Sequence, residues 1–137
     1  MALIELLDIG GEGRHLVAWN LNPSSVKTLG PSRGKLIPRL ILGRAEAIPL
    51  PAHSVNVVLV ERSPLKPEAL PEIKRIVVQG GTIILRHALP PRSDPHRRAC
   101  ELLKGRIRQR KILVATQALQ ETVIQCHTSR QGKLPCR

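Results

Sequence analysis

The chain has 137 residues, enough for one domain with a modest core but too few for two. It carries a net charge of +12, with 42% apolar residues, a single Trp and no Tyr or Phe, so its core must be built from Leu, Ile and Val. No apolar run approaches the length of a membrane span, and no charged segment leads into a long apolar stretch. A cytoplasmic protein without a leader peptide is the expectation.

Residues 2–8 read as a buried strand ending at Gly10-Gly11, and residues 16–21 as a second apolar run. Asn22-Pro23-Ser24-Ser25 signals a helix start, with Asn22 as cap and Pro23 in the first turn, and Gly30-Pro31 ends that short helix. A third strand is expected over 39–43. A fourth, over 55–60, is almost entirely Val and Leu, which suits a strand buried on both faces of a parallel sheet. Leu70, Ile73, Ile76 and Val77 recur at helical spacing within 67–78. Gly80-Gly81 is expected to stop that helix before a fifth strand over 82–85. Asp94 and Pro95 mark the start of a helix reaching about Lys104. Residues 112–116 and 122–127 then read as an antiparallel hairpin, followed by a flexible tail from Ser129.

Alternation of strands and connections argues for an α/β domain over 1–128 with a tail over 129–137. The expected class is Rossmann-like, with a mostly parallel central sheet and a C-terminal antiparallel hairpin. Only residues 10–15 separate the first two strands, whereas a parallel crossover needs about a dozen or more residues. The first crossover helix is therefore absent. Either these two strands pair antiparallel, or the second runs elsewhere.

Charge is uneven. Residues 97–137 hold ten Lys or Arg against Glu101 and Glu121, which makes eight of the twelve net positive charges. The densest run is Arg97, Arg98, Lys104, Arg106, Arg108, Arg110 and Lys111, expected on a helix and the loop after it. Such a cationic strip attracts polyanions, and nucleic acid, RNA in particular, is the expected partner. Base stacking has little to work with, since Trp19 is the one aromatic platform. Cys100, Cys126 and Cys136 match no metal spacing. Free thiols are expected, with a Cys100–Cys126 bridge as the alternative. His15 and His87 fall just past expected strand ends, where a general base could stand.

The order of motifs carries a family resemblance. Leu7-Asp8-Ile9-Gly10-Gly11-Glu12-Gly13 resembles the glycine-rich first motif of class I S-adenosylmethionine-dependent methyltransferases, with Glu12 and Arg14 where two of its glycines would stand. Gly43-Arg44-Ala45-Glu46-Ala47 is similar to the stretch after that family's third strand. The runs from His53 to Val60 and from Pro71 to Leu85 resemble its fourth strand and its helix, Gly-Gly turn and fifth strand. The resemblance covers about residues 3–127. Ala18-Trp19-Asn20-Leu21-Asn22 also resembles an Asn-x-Asn strand ending in methyltransferase-like domains of bacterial polymorphic toxins.

The resemblance implies S-adenosylmethionine at the carboxyl ends of the strands. Gly10 and Gly11 would line the methionine and ribose region, with Asp8 near the ammonium group. Asn20 or Asn22 would face the ribose hydroxyls, and Ala45 and Glu46 would lie near adenine. Glu61 would sit at the reacting centre, joined by His87 as the second candidate catalytic residue. Ser63-Pro64-Leu65 falls where nucleic-acid amino-methyltransferases carry a Pro-Pro-aromatic motif, but the second Pro and the aromatic are missing. Three functions follow as expectations: a methyltransferase-like domain acting on or binding RNA, a non-catalytic nucleic-acid-binding adaptor on the same fold, or a toxin effector domain.

Overall fold

The computed structural model describes residues 4–21, 38–88 and 95–126, with Asn20 and Leu21 described by backbone only. The expected helix after Asn22, the cap at Asp94 and the tail from Ser129 lie outside these residues. The strands are β1 (Ile4–Gly10), β2 (His15–Leu21), β3 (Pro38–Ile41), β4 (Val55–Glu61), β5 (Val77–Ala88), β6 (Arg106–Val114) and β7 (Gln117–Gln125). Two helices are described, α1 (Ala69–Ile76) and α2 (Arg97–Leu103). No described helix is long and apolar enough to cross a membrane.

All seven strands form one mixed sheet in the order β3-β2-β1-β4-β5-β7-β6. The first five places follow the order of a doubly wound α/β sheet, so the fold is α/β and consistent with a Rossmann-like architecture. β1, β4 and β5 run parallel. β7 is antiparallel to both β5 and β6.

The second strand is reversed. β1 and β2 pair antiparallel, Gly10 opposite His15 and Ile4 opposite Leu21. The link between them is one turn of 3-10 helix, Gly11–Gly13, with no room for a crossover. Gly11, Glu12 and Gly13 all have positive φ (56°, 58° and 88°), so this tight reversal needs residues that tolerate the left-handed region. β3 then pairs antiparallel to β2.

Side chains alternate across the strands and divide the sheet into two faces. One face carries Leu7, Ile9, Leu16, Val58, Val60, Ile83, Leu85 and Ile124, all at 3% exposure or less, and they form the core with Ile73 and Ile76 of α1 and Leu103 of α2. The segment between β3 and β4 packs on the same side through Ala45 and Ile48. Glu72 and Arg75 fasten it to α1. Glu72 accepts the Ile48 N–H at 2.8 Å, and Arg75 donates to the Ile48 and Leu50 carbonyls at 2.8 Å each. The hydrogen bond from Arg75 holds the Glu72 carboxyl below the usual carboxylate range, against the effect of burial. On the opposite face Leu6, Asp8, Leu59, Ile84, Arg86 and Val123 stay partly exposed.

Several expectations are corrected. The sheet is not mostly parallel: only β1–β4 and β4–β5 pair in parallel, and the other four described strand pairs are antiparallel. The Gly80-Gly81 pair does not stop a helix; it lies inside the 12-residue β5, which takes over directly from α1 at Val77. Gly80 has φ of +80°, and the β4–β5 register shifts there, so the pair makes a bulge. A Cβ on Gly81 would meet the Asn56 carbonyl oxygen at 2.8 Å, which enforces glycine. The basic run after α2 is likewise no loop but the nine-residue outer strand β6. Cys126 is disulfide-bonded and Cys100 is in no disulfide, so the free-thiol expectation fails at Cys126 and a Cys100–Cys126 bridge does not form.

Candidate functional site

In a doubly wound sheet the ligand crevice opens beyond the carboxyl ends of the strands where the order reverses. Here that point lies between β1 and β4, with the Gly11–Gly13 turn on one side and Glu61-Arg62-Ser63 on the other. The protein's own groups close it. Glu12 N–H donates to the Ser63 hydroxyl oxygen at 2.8 Å, and Ser63 is 5% exposed. Ala45 N–H donates to the Gly13 carbonyl at 2.8 Å. The site of a Cβ on Gly13 lies 3.1 Å from the Glu46 carboxylate and 3.2 Å from Ala45 Cβ. The His15 ring packs on Gly11 from the other side of the turn.

The residues named for a cofactor therefore do not meet around one hollow. Ala45 is fully buried beneath the turn, so no adenine ring can lie against it. Reversal of β2 carries Asn20 to the amino-terminal end of β1, near Glu5, whereas Gly10 and Gly11 stand at the other end. At ~3.3 Å per residue the two ends of β1 are about 20 Å apart. Asn22 lies outside the described residues, and so does the side chain of Asn20. Asp8 projects from the open face, not toward the turn. The described side chains do not fit S-adenosylmethionine in the arrangement that the motifs imply.

The two candidate catalytic residues separate as well. Glu61 pairs in register with Arg86 and shares its face, where Arg86 Nη1 donates to Glu61 at 3.2 Å. His87, the next residue along β5, points to the helix-covered face. There it belongs to a continuous hydrogen-bond chain. Its Nε2 lies 2.8 Å from the Ser63 carbonyl, its Nδ1 2.8 Å from His96 Nε2, and His96 Nδ1 2.6 Å from the Thr122 hydroxyl. Gln109 Nε2 donates to that hydroxyl at 3.1 Å. A carbonyl only accepts, so His87 Nε2 carries a proton. With both rings neutral every donor then points one way: Gln109 to Thr122, Thr122 to His96, His96 to His87, His87 to Ser63. A pocket of about 300 Å³ opens beside this chain, lined by Pro64, Leu65, Leu70, Leu85, His87 and Arg98 among others. Sequence reasoning found His87 but missed His96 and Thr122. Nothing in the sequence singles out either, since β7 already mixes Gln, Glu and Thr with apolar residues.

Asp8 and Glu61 face each other's field on the open side. Burial, and then the charge of Glu61, pushes the Asp8 carboxyl above its ordinary range. The basic run is divided between surfaces. Arg97 and Arg98 are exposed on α2, Arg97 at 3.6 Å from Glu101. Lys104 is exposed just after α2. In β6, Arg106, Arg108 and Arg110 alternate onto the open face and Lys111 onto the other. All four are exposed. No group of three or more His, Cys, Asp or Glu able to hold a metal occurs among the described residues.

No protein family matches the chain, and no curated protein is similar to it in sequence. Among solved structures it is similar to that of a SAM-dependent methyltransferase from Aquifex aeolicus. The identity is 16%, the TM-score 0.43, and the likeness covers 73% of this chain and 59% of that one. The chain thus spans little more than half of that structure, and a likeness of this extent transfers neither fold nor activity.

Proposed function

We propose that this chain is a non-catalytic module that binds a polyanion, RNA as the leading partner, on a reduced methyltransferase-like α/β sheet. The observation that carries the reading is the alternation of Arg106, Arg108 and Arg110 on one face of an exposed outer strand. The +12 net charge supports it. A row of guanidinium groups at every second strand position lies ~6.6 Å apart, close to the spacing of successive phosphates on an extended strand. Arginine recognises such oxyanions through paired N–H donors.

An adaptor reading is preferred over methyl transfer because Glu61 and His87 project from opposite faces, and because the turn that would cradle a cofactor is occupied by Glu46, Ala45 and Ser63. Two measurements test this. Calorimetry with millimolar S-adenosylmethionine is expected to give no binding heat; saturable binding overturns the non-catalytic part. Fluorescence anisotropy with a labelled single-stranded RNA is expected to show affinity falling roughly 20-fold between about 50 and about 200 mM salt, for three neutralised phosphates. No RNA binding at the lower salt overturns the partner.

A further inference from the structure

A second concavity, of about 460 Å³, opens on the uncovered face where β5, β7 and β6 run side by side. Its lining includes Ile84, Arg86, Arg108, Arg110, Glu121 and Val123. Strand register explains the convergence. Arg86 stands opposite Glu121 across β5–β7, and Arg110 stands opposite the same Glu121 across β7–β6. Arg108 is two residues from Arg110 and therefore on the same face.

Glu121 is 4% exposed and lies between two arginines. It accepts from Arg86 Nε at 2.8 Å and from Arg110 Nε at 2.6 Å. Burial alone would raise its pKa, but the hydrogen bonds from Arg110 and Arg86 outweigh that and hold the carboxyl ionised. Glu61 accepts from Arg86 Nη1 at 3.2 Å. These bonds take two of the five N–H donors of Arg86 and one of the five of Arg110. The remaining donors are left in fixed forks, and Arg108 adds a third guanidinium with no described partner.

We infer that this concavity is a phosphate-binding site, with Arg86, Arg108 and Arg110 as its donors and Glu121 and Glu61 as positioning residues. Three guanidinium groups supply more donors than a two-oxygen carboxylate can use, whereas a phosphate ester presents three acceptor oxygens. Partly exposed Ile84 and Val123 give an apolar floor for the organic part of the ester. Arg86 was absent from the basic strip read in the sequence, because it precedes Arg97, the first residue of that strip, by eleven positions and reaches it only through strand pairing.

This inference rests on the polyanion reading, and the phosphate could belong to an RNA backbone or to a free phosphate compound. The test follows the arginine Nε–H signals of the folded chain by NMR during titration with inorganic pyrophosphate, alongside the RNA anisotropy measurement. Arg108→Gln is the clean variant, since Arg108 is exposed and supports no described contact; Lys66→Gln is the control. Pyrophosphate is expected to move the signals of Arg86, Arg108 and Arg110. Arg108→Gln is expected to weaken both pyrophosphate and RNA by about tenfold or more, with Lys66→Gln unchanged. If RNA binds but pyrophosphate moves none of the three signals and Arg108→Gln changes nothing, the site is overturned while the polyanion reading stands. If pyrophosphate binds there and RNA does not, the site holds and its ligand is a free phosphate compound. If neither binds, both fall.

Discussion

Asp8 shows how a single carboxylate can sit against the interest of the fold. It is half-buried on the open face, and Glu61 adds a second negative charge nearby. A carboxyl whose folded-state pKa is raised favours folding only below its unfolded pKa, and that contribution is lost as pH rises through the folded value. At pH 7 the ionised form therefore works against stability. Asp8→Asn is expected to raise the urea midpoint at pH 7, with the gain vanishing near pH 3, where both proteins carry a neutral group. Equal midpoints at pH 7 would contradict the assignment. In the sequence Asp8 was legible as a special residue through its place in the Asp-x-Gly-Gly turn, but its face was not, because the direction of its side chain depends on pairing with β4. His96 and Thr122 were invisible for a similar reason. Each is an ordinary polar residue until β7 and α2 bring them within 2.6 Å.

Among the elements, the buried strands were the most legible. The Val-rich run that became β4 has no helical period and no polar residue except Asn56 before Glu61. β6 was hidden because both of its faces meet solvent over most of its length, so its arginines read as a charged loop and only Ile112–Val114 showed as strand. The glycine pair before Thr82 was ambiguous, since a helix terminus and a β-bulge both use a residue with positive φ. The β6–β7 turn is built from Ala115 and Thr116 at φ of 47° and 71°, which no glycine or asparagine eases. Two consecutive positive φ values define the turn type for which Asn-Gly is the preferred pair. Replacing Ala115-Thr116 by Asn-Gly is expected to stabilise the protein by about 1 kcal/mol, read from chemical denaturation at constant m-value. A loss of stability would mean that the tip adopts another turn.

For the whole molecule, 22 basic residues face 10 acidic ones, and only five of the eleven described arginines, Arg62, Arg75, Arg86, Arg97 and Arg110, pair with a described acid. The partly buried pairs around Glu121 and Glu72 are shielded from dissolved ions better than the exposed arginines of β6. Self-repulsion across the surface is then the electrostatic effect that salt changes most. The free chain is expected to gain a few degrees of Tm on raising sodium chloride from about 50 to about 500 mM, while its RNA complex loses affinity. A free-chain Tm that falls with salt would show that surface ion pairs outweigh the repulsion.

The reversed second strand also changes how the sheet can assemble. A hairpin closes in about 1–10 μs, and the direct β1–β2 link makes one wing of the sheet a purely local structure. The β6–β7 ribbon is another. Between them, β1, β4 and β5 must find one another in parallel from distant parts of the chain, the slowest kind of pairing. The molecule is thus two quick ribbons joined by a slow seam, and the open arginine-lined face borders that seam, on the side no described helix protects.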